Sequence, residues 1–147
     1  MYYTKYRPQT FKEIQRPNDI ADALMQQIKT DKTVHAYLFT GPRGIGKTTV
    51  ARLLAKGLSC VDLSKEGDVC GKCVFCLAVQ NGNLIDLIEI DAASNRGIDD
   101  IRDLKEKVRL LPAECKKKIY IIDEVHMLTN EAFNALLKTL EEPPKHA

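Results

Sequence analysis

Gly41-Pro42-Arg43-Gly44-Ile45-Gly46-Lys47-Thr48 has the spacing glycine, four residues, glycine, lysine, threonine. That order suits the holding of a polyphosphate. Glycines let the backbone turn so tightly that successive amide hydrogens point inward at phosphate oxygens, and a helix opening near Lys47 adds its positive dipole end. Lys47 is then expected on the terminal phosphates and the Thr48 hydroxyl on Mg²⁺. A second group, Asp123-Glu124, follows the apolar run Ile119-Tyr120-Ile121-Ile122. Ligands of open parallel sheets collect at the carboxyl ends of the strands, so Asp123 is expected beside the phosphate loop, holding Mg²⁺ through water. Glu124 is then placed to orient or deprotonate the attacking water. The bland alternative for this pair is a solvated turn.

Of the five cysteines, Cys60, Cys70, Cys73 and Cys76 fall close together and Cys115 stands apart. Four thiolates can close a tetrahedral Zn²⁺ shell with no open position, which makes such a site structural. Gly67 and Gly71 suit the tight turns that aim sulfurs inward. The ion with its four thiolates carries a net −2 and would take the formal charge of +2 to zero. Zinc ligation would become local folding free energy for a module too small to have its own core. An iron–sulfur cluster and a metal-free or redox-active thiol group remain the alternatives. Cys115 is read as incidental.

These groups need elements to position them. Met1 to Pro17 lacks a sustained period and reads as an extended arm. Asn18 can cap a helix over about Asp19 to Lys29, with Ile20, Ala21, Leu24 and Ile28 on one face. Ala36 to Thr40 reads as a buried strand, Lys47 to Leu58 as a helix with Val50, Leu53, Leu54 and Leu58 inward, and Leu84 to Asp91 as a second strand. A helix from Ile98 to Leu110, with Ile101, Leu104, Val108 and Leu111 continuing its apolar period, is closed by Pro112. Ile119 to Ile122 is a third strand. A last helix over Asn130 to Glu141 turns Phe133, Leu136, Leu137 and Leu140 inward and stops at Pro143-Pro144. Apolar strands alternating with helices imply an α/β fold, a parallel sheet covered on both faces.

Length and composition bound the rest. The chain has 147 residues, 44% of them apolar, with 22 basic and 20 acidic side chains. That is enough for a real core and excludes a disordered tail or a collagen-like repeat. No stretch approaches the ~18 apolar residues of a membrane span, so no membrane partner is expected. With no leader read at its start, the chain is expected to be cytoplasmic, where clustered thiols stay reduced and bind metal.

In this order the residues resemble the gamma/tau family of bacterial DNA polymerase III clamp-loader subunits, which are AAA+ ATPases. The likeness runs from Tyr6-Arg7-Pro8 to Glu141-Glu142-Pro143-Pro144. It takes in His35 to Phe39, Ala51 to Lys56, Glu89 to Asn95 and Asn134 to Leu140, and the four-cysteine insert makes it specific. It implies a three-layer P-loop domain over residues 1–147, with a zinc insert at about 59–80, ending before the last strand or strands and the lid. It implies ATP, Mg²⁺ and Zn²⁺ as cofactors and a nucleotide site made of Gly41, Pro42, Arg43, Gly44, Ile45, Gly46, Lys47, Thr48, Thr49 and Asp123. Lys47 and Glu124 are its catalytic residues, and Tyr6, Arg7 and Pro8 lie near the adenine.

The expected partners are other clamp-loader subunits in a hetero-oligomeric ring, the sliding clamp, and primer–template DNA. The DNA backbone is expected at the helix start Ser94 to Ile98, with Arg96 on phosphate. Where the family has Gly-Gln after the arm, this chain has Arg16-Pro17. Little turnover is expected of these 147 residues alone, because a neighbour's arginine can be worth about 10³–10⁵ in rate. The competing classes are a non-hydrolysing scaffold, a helicase (from Asp123-Glu124-Val125-His126, in which His126 is given no role) and a thiol redox protein.

Overall fold

The computed structural model describes residues 5–94 and 97–147. They form two compact units, one running to Leu84 and the other beginning at Ile85.

The first unit is helical. The arm, expected to be extended, folds into a 3-10 turn at Phe11–Glu13, where the Glu13 and Ile14 amides find the Thr10 and Phe11 carbonyls. The first α-helix, α1, spans Asp19–Lys29, the expected range, and Asn18 caps it by accepting the Ala21 amide at 2.9 Å. The buried stripe is Ala21, Leu24, Met25 and Ile28, whereas Ile20, expected inward, is 59% exposed. Spacings of three and four from Ala21 define that stripe, and Ile20 falls on its shoulder. Helix α2 spans Lys47–Ser59 and buries Leu53, Leu54 and Ala55, with Val50 and Leu58 partly buried against the core. A Cβ at Gly57 would lie 2.4 Å from the Ile28 side chain, so the missing side chain lets α2 close on α1. A third helix, α3, spans Val74–Asn81 and was not anticipated. Its sequence is mostly apolar and its start is masked by the cysteines. Phe11, fully buried, sits in the core with α1, α2, Val69 and Cys76.

Ala36 to Thr40, expected to be a strand, is not one; the sheet of the described residues has two strands instead of three. The segment is held through its side chains. Tyr37 and Phe39 pack on the core with stacked rings 6.3 Å apart, the Tyr37 hydroxyl donates to Gln27 Oε1 at 2.5 Å, and Leu38 between them is 76% exposed. Alternation makes a chain extended, but a strand exists only when a neighbouring ladder takes its amides.

The second unit is a small α/β assembly. Strands β1 (Leu87–Asp91) and β2 (Ile119–Asp123) are parallel and in register from Leu87 opposite Ile119 to Asp91 opposite Asp123. Between them runs α4, Ile98–Val108, and after β2 comes α5, Asn130–Glu141. Both helices pack against the core of Ala92, Ile101, Leu104, Leu128, Ala132 and Leu136. Helix α4 stops at Val108, short of the expected end, and leaves Leu110 and Leu111 61% and 77% exposed. The residue before Pro112 is biased away from helical backbone, so the apolar period outlasts the helix. Helix α5 has the expected bounds and is capped by Thr129 accepting the Ala132 amide. Of the side chains expected inward, Leu136 is buried, while Phe133, Leu137 and Leu140 are 42%, 37% and 38% exposed. The inward stripe runs through Ala132 and Leu136, one residue round from Phe133 and Leu137. No described helix is long and apolar enough to cross a membrane.

Candidate functional site

In the first unit, residues 41–46 form a loop that ends in α2. Gly41, Gly44 and Gly46 have φ of 144°, 82° and 98°. At Gly44 and Gly46 a Cβ would meet nothing within 4 Å, so left-handed backbone, not crowding, selects glycine there. Gly46 heads α2 without a side-chain cap, and the first turn of α2 holds no acidic residue. Asp19 and Asp22, Asp99 and Asp100, and Glu131 occupy the first turns of α1, α4 and α5. Helix α2 therefore opens without a side-chain cap and without a carboxylate in its own first turn, an arrangement that suits an anion at the positive end of the helix dipole. Lys47 Nζ donates to the carbonyls of Gly41 and Pro42 at 2.8 and 2.9 Å, spanning the loop. Thr48 and Thr49 follow in the first turn.

The arm meets the same helix. Arg7, Pro8 and Gln9 line a cavity with Thr49, Arg52 and Lys56 of α2 and the end of α3, about 250 Å³ in volume. Tyr6 is 70% exposed, outside that lining. Lys56, which sequence reasoning missed as a functional side chain, is 2% exposed, and its ammonium donates to the Gln9 main-chain and side-chain oxygens at 3.1 and 2.6 Å. Burial lowers its pKa, while the Cys76, Glu13 and Cys70 charges oppose that. A buried lysine in a helical pattern reads as a solvated one, so only the fold reveals it.

The four cysteines converge as expected. Their sulfurs all lie within 4.8 Å of one another, with Cys60 to Cys70 at 3.6 Å and Cys70 to Cys76 at 3.9 Å. A tetrahedron with Zn–S bonds near 2.3 Å has edges of about 3.8 Å. Main-chain amides aim at the sulfurs: Cys70 N at Cys60 Sγ (3.5 Å), Cys73 N at Cys70 Sγ (3.2 Å) and Cys76 N at Cys73 Sγ (3.4 Å). The last of these caps α3. Burial resists ionisation of Cys73, yet the amides of Cys76 and Val61, with the neighbouring thiols, bring its pKa down to about 6. Burial pushes the Cys60 and Cys76 thiols up. A group of soft donors with this geometry fits a metal ion.

In the second unit Asp123 closes β2 and faces Asp91 across the register, so two carboxylates share the carboxyl end of the sheet. Asp91 was not anticipated; it takes the Ala93 amide at 2.9 Å and ends β1 in a side-chain turn. Glu124 has φ 55°, a left-handed conformation uncommon outside glycine and asparagine, and its amide donates to Asp123 Oδ1 at 3.0 Å. His126 Nε2 lies 3.4 Å from Glu124 Oε2. Arg96, expected on the nucleic-acid backbone, lies outside the described residues. Asp86, also missed, is 1% exposed and gathers the amides of Ala113, Glu114 and Cys115 at 2.6–2.7 Å. Cys115 is thus part of a clamp at the foot of the sheet.

Comparison with known proteins matches residues 16–147 to a family described as DNA polymerase III, delta subunit. The chain is 49% identical over 144 residues to DNA polymerase III subunit tau of Bacillus subtilis, covering 98% of this chain and 25% of that protein. It is 50% identical over 142 residues to the tau subunit of Escherichia coli, covering 97% and 22%. With the gamma subunit of Buchnera aphidicola subsp. Baizongia pistaciae the identity is 47% over 142 residues, covering 97% and 38%. The chain thus spans well under half the length of these relatives. With the match running from Arg16 to the last residue and half its side chains shared with tau and gamma subunits, the chain belongs to the DNA polymerase III subunit family described by that delta-subunit model.

Proposed function

We propose that the chain is the ATP-binding part of an AAA+ clamp-loader subunit of DNA polymerase III, of gamma/tau type, with a three-layer P-loop fold. The uncapped start of α2 behind the glycine loop carries this reading, and the tau and gamma relatives support it. In it, the amides of Gly44 to Thr48 hold the β- and γ-phosphates of ATP, and Lys47 leaves the Gly41 and Pro42 carbonyls to bind phosphate oxygens. Thr48 and Asp123 hold Mg²⁺, which neutralises charge on the phosphates when bound. Glu124 orients a water for attack on the terminal phosphorus, accepts its proton, and ADP leaves. Tyr6, Arg7 and Pro8 lie on the adenine side, Thr49 beside the phosphates. Cys60, Cys70, Cys73 and Cys76 hold a structural Zn²⁺. Within a ring of such subunits, nucleotide binding and hydrolysis serve to open a sliding clamp and close it on primer–template DNA, with Arg96 on the DNA backbone.

Calorimetry with ADP and Mg²⁺ on the zinc-loaded chain tests the reading. Saturable binding that Lys47→Ala abolishes is the expected result. A folded, metal-loaded chain that takes up no adenine nucleotide overturns it.

A further inference from the structure

The cysteine module and the arm touch through bonds that phosphate binding and metal ligation do not use. Asp68, 4% exposed and two residues before Cys70, accepts the Phe11 amide at 2.9 Å and the Lys12 amide at 3.2 Å. Its carboxylate also takes its neighbour's amide, Val69 N, at 2.8 Å. A tight turn fixes the loop that presents it: Ser64 Oγ accepts the Asp68 amide at 3.0 Å, the Ser64 amide donates to the Asp68 carbonyl at 2.9 Å, and the Gly67 amide donates to the Ser64 carbonyl. Glu66 in that loop pairs with Lys12 at the surface. From α2, Lys56 grips Gln9 by two oxygens. Residues 9–12 are therefore clamped between α2 and the loop that enters the sulfur cluster. The next two residues outward, Arg7 and Pro8, form the cavity wall, and the end of α3, whose first turn carries Cys76, forms another part of it.

We propose that the four-cysteine module anchors the arm: with metal on the sulfurs, Asp68 and Lys56 hold residues 9–12 in place and keep Arg7 and Pro8 at the cavity, and loss of the metal releases the arm and weakens adenine-nucleotide binding. Asp68 and Lys56 are positioning residues in this scheme. The nucleotide part rests on the function proposed above; the anchoring does not.

The test measures amide hydrogen exchange at Phe11 and Lys12, and ADP–Mg²⁺ affinity, in the full 147-residue chain loaded with Zn²⁺ and after chelation. Stripping is expected to speed exchange at both amides and raise the ADP dissociation constant, each about tenfold or more, the scale of a lost hydrogen bond to a charged group. Lys56→Met and Asp68→Asn, each still holding one Zn²⁺, are expected to do the same while exchange in α5 stays slow. If chelation unfolds the chain, these loaded variants decide. Unchanged exchange at Phe11 and Lys12 in both overturns the anchoring, and faster exchange with unchanged ADP affinity overturns the link to the cavity. A loaded wild-type chain that binds no ADP refutes the nucleotide reading, while the exchange rates still judge the anchor.

Discussion

The Asp86 carboxylate accepts the Cys115 amide at 2.7 Å across 29 residues of sequence, and the Asp86 carbonyl accepts the Ile119 amide at 2.8 Å. One residue thereby ties the loop before β2 to the start of β1 and sets the register that ends at Asp91 and Asp123. Burial resists its ionisation, but the amides of Ala113, Cys115 and Glu114 and the Cys115 thiol outweigh that and hold its pKa below the ordinary carboxylate value. Asp86→Asn turns an amide donor toward amide donors, and is expected to cost about 1–3 kcal/mol in urea melts at neutral pH. A carboxylate depressed in the folded state stabilises above its unfolded pKa and loses that contribution as pH falls through the folded one. The gap between wild type and variant should therefore narrow on acidification below the ordinary aspartate range.

Gly67 has φ 88°, and a Cβ there would lie 2.3 Å from the Met25 carbonyl oxygen, a backbone atom that cannot swing aside. Gly44, at φ 82°, has open space in the same direction. Gly44→Ala carries only backbone strain, about 1–2 kcal/mol. Gly67→Ala adds the collision and is expected to lower stability more, and to weaken metal retention by the four cysteines. Paired denaturation curves and metal analysis check the order.

Cys76 is fully buried, at once a sulfur of the cluster and a member of the core. Ligand thiols must lose their protons to bind metal, so the zinc proposed above is expected to leave on acidification, with the lost ligation on the order of 10 kcal/mol in small zinc modules. Cys76→Ser should hold no zinc at neutral pH and melt at a lower temperature than the loaded wild type. Zinc titration with a colorimetric chelator reads the first outcome and calorimetry the second.

Glu124 holds a left-handed backbone that a glycine adopts without the same cost. Glu124→Gly is expected to be as stable as wild type or up to about 1 kcal/mol more stable. On the function proposed above, both Glu124→Gly and Glu124→Gln in the complete assembly should still bind ATP and lose hydrolysis. A drop in stability for Glu124→Gly would show that the conformation is not strained.

Local signals were legible where one short stretch contains the whole physical cause. Three glycines, a lysine and a threonine in sequence specify a loop of left-handed turns that opens a helix, and Asn18 and Thr129 announce their helices because a cap acts within three residues. Four soft donors at close spacing announced a metal site, and the sulfurs converge accordingly. Tertiary structure decided whatever depends on a partner distant in the chain. Ala36 to Thr40 alternates like a strand but is tied down by Tyr37 and Phe39, since a ladder needs a neighbour that the segment does not encode. Phe133 and Leu137 look like core residues in their helix, yet packing selected Ala132 and Leu136 one step round. Lys56, Asp68 and Asp86 read as ordinary surface charges. They become buried fasteners only because folding brings amides and carbonyls from 27 to 57 residues away to meet them, and a charge survives burial only where such partners arrive with it.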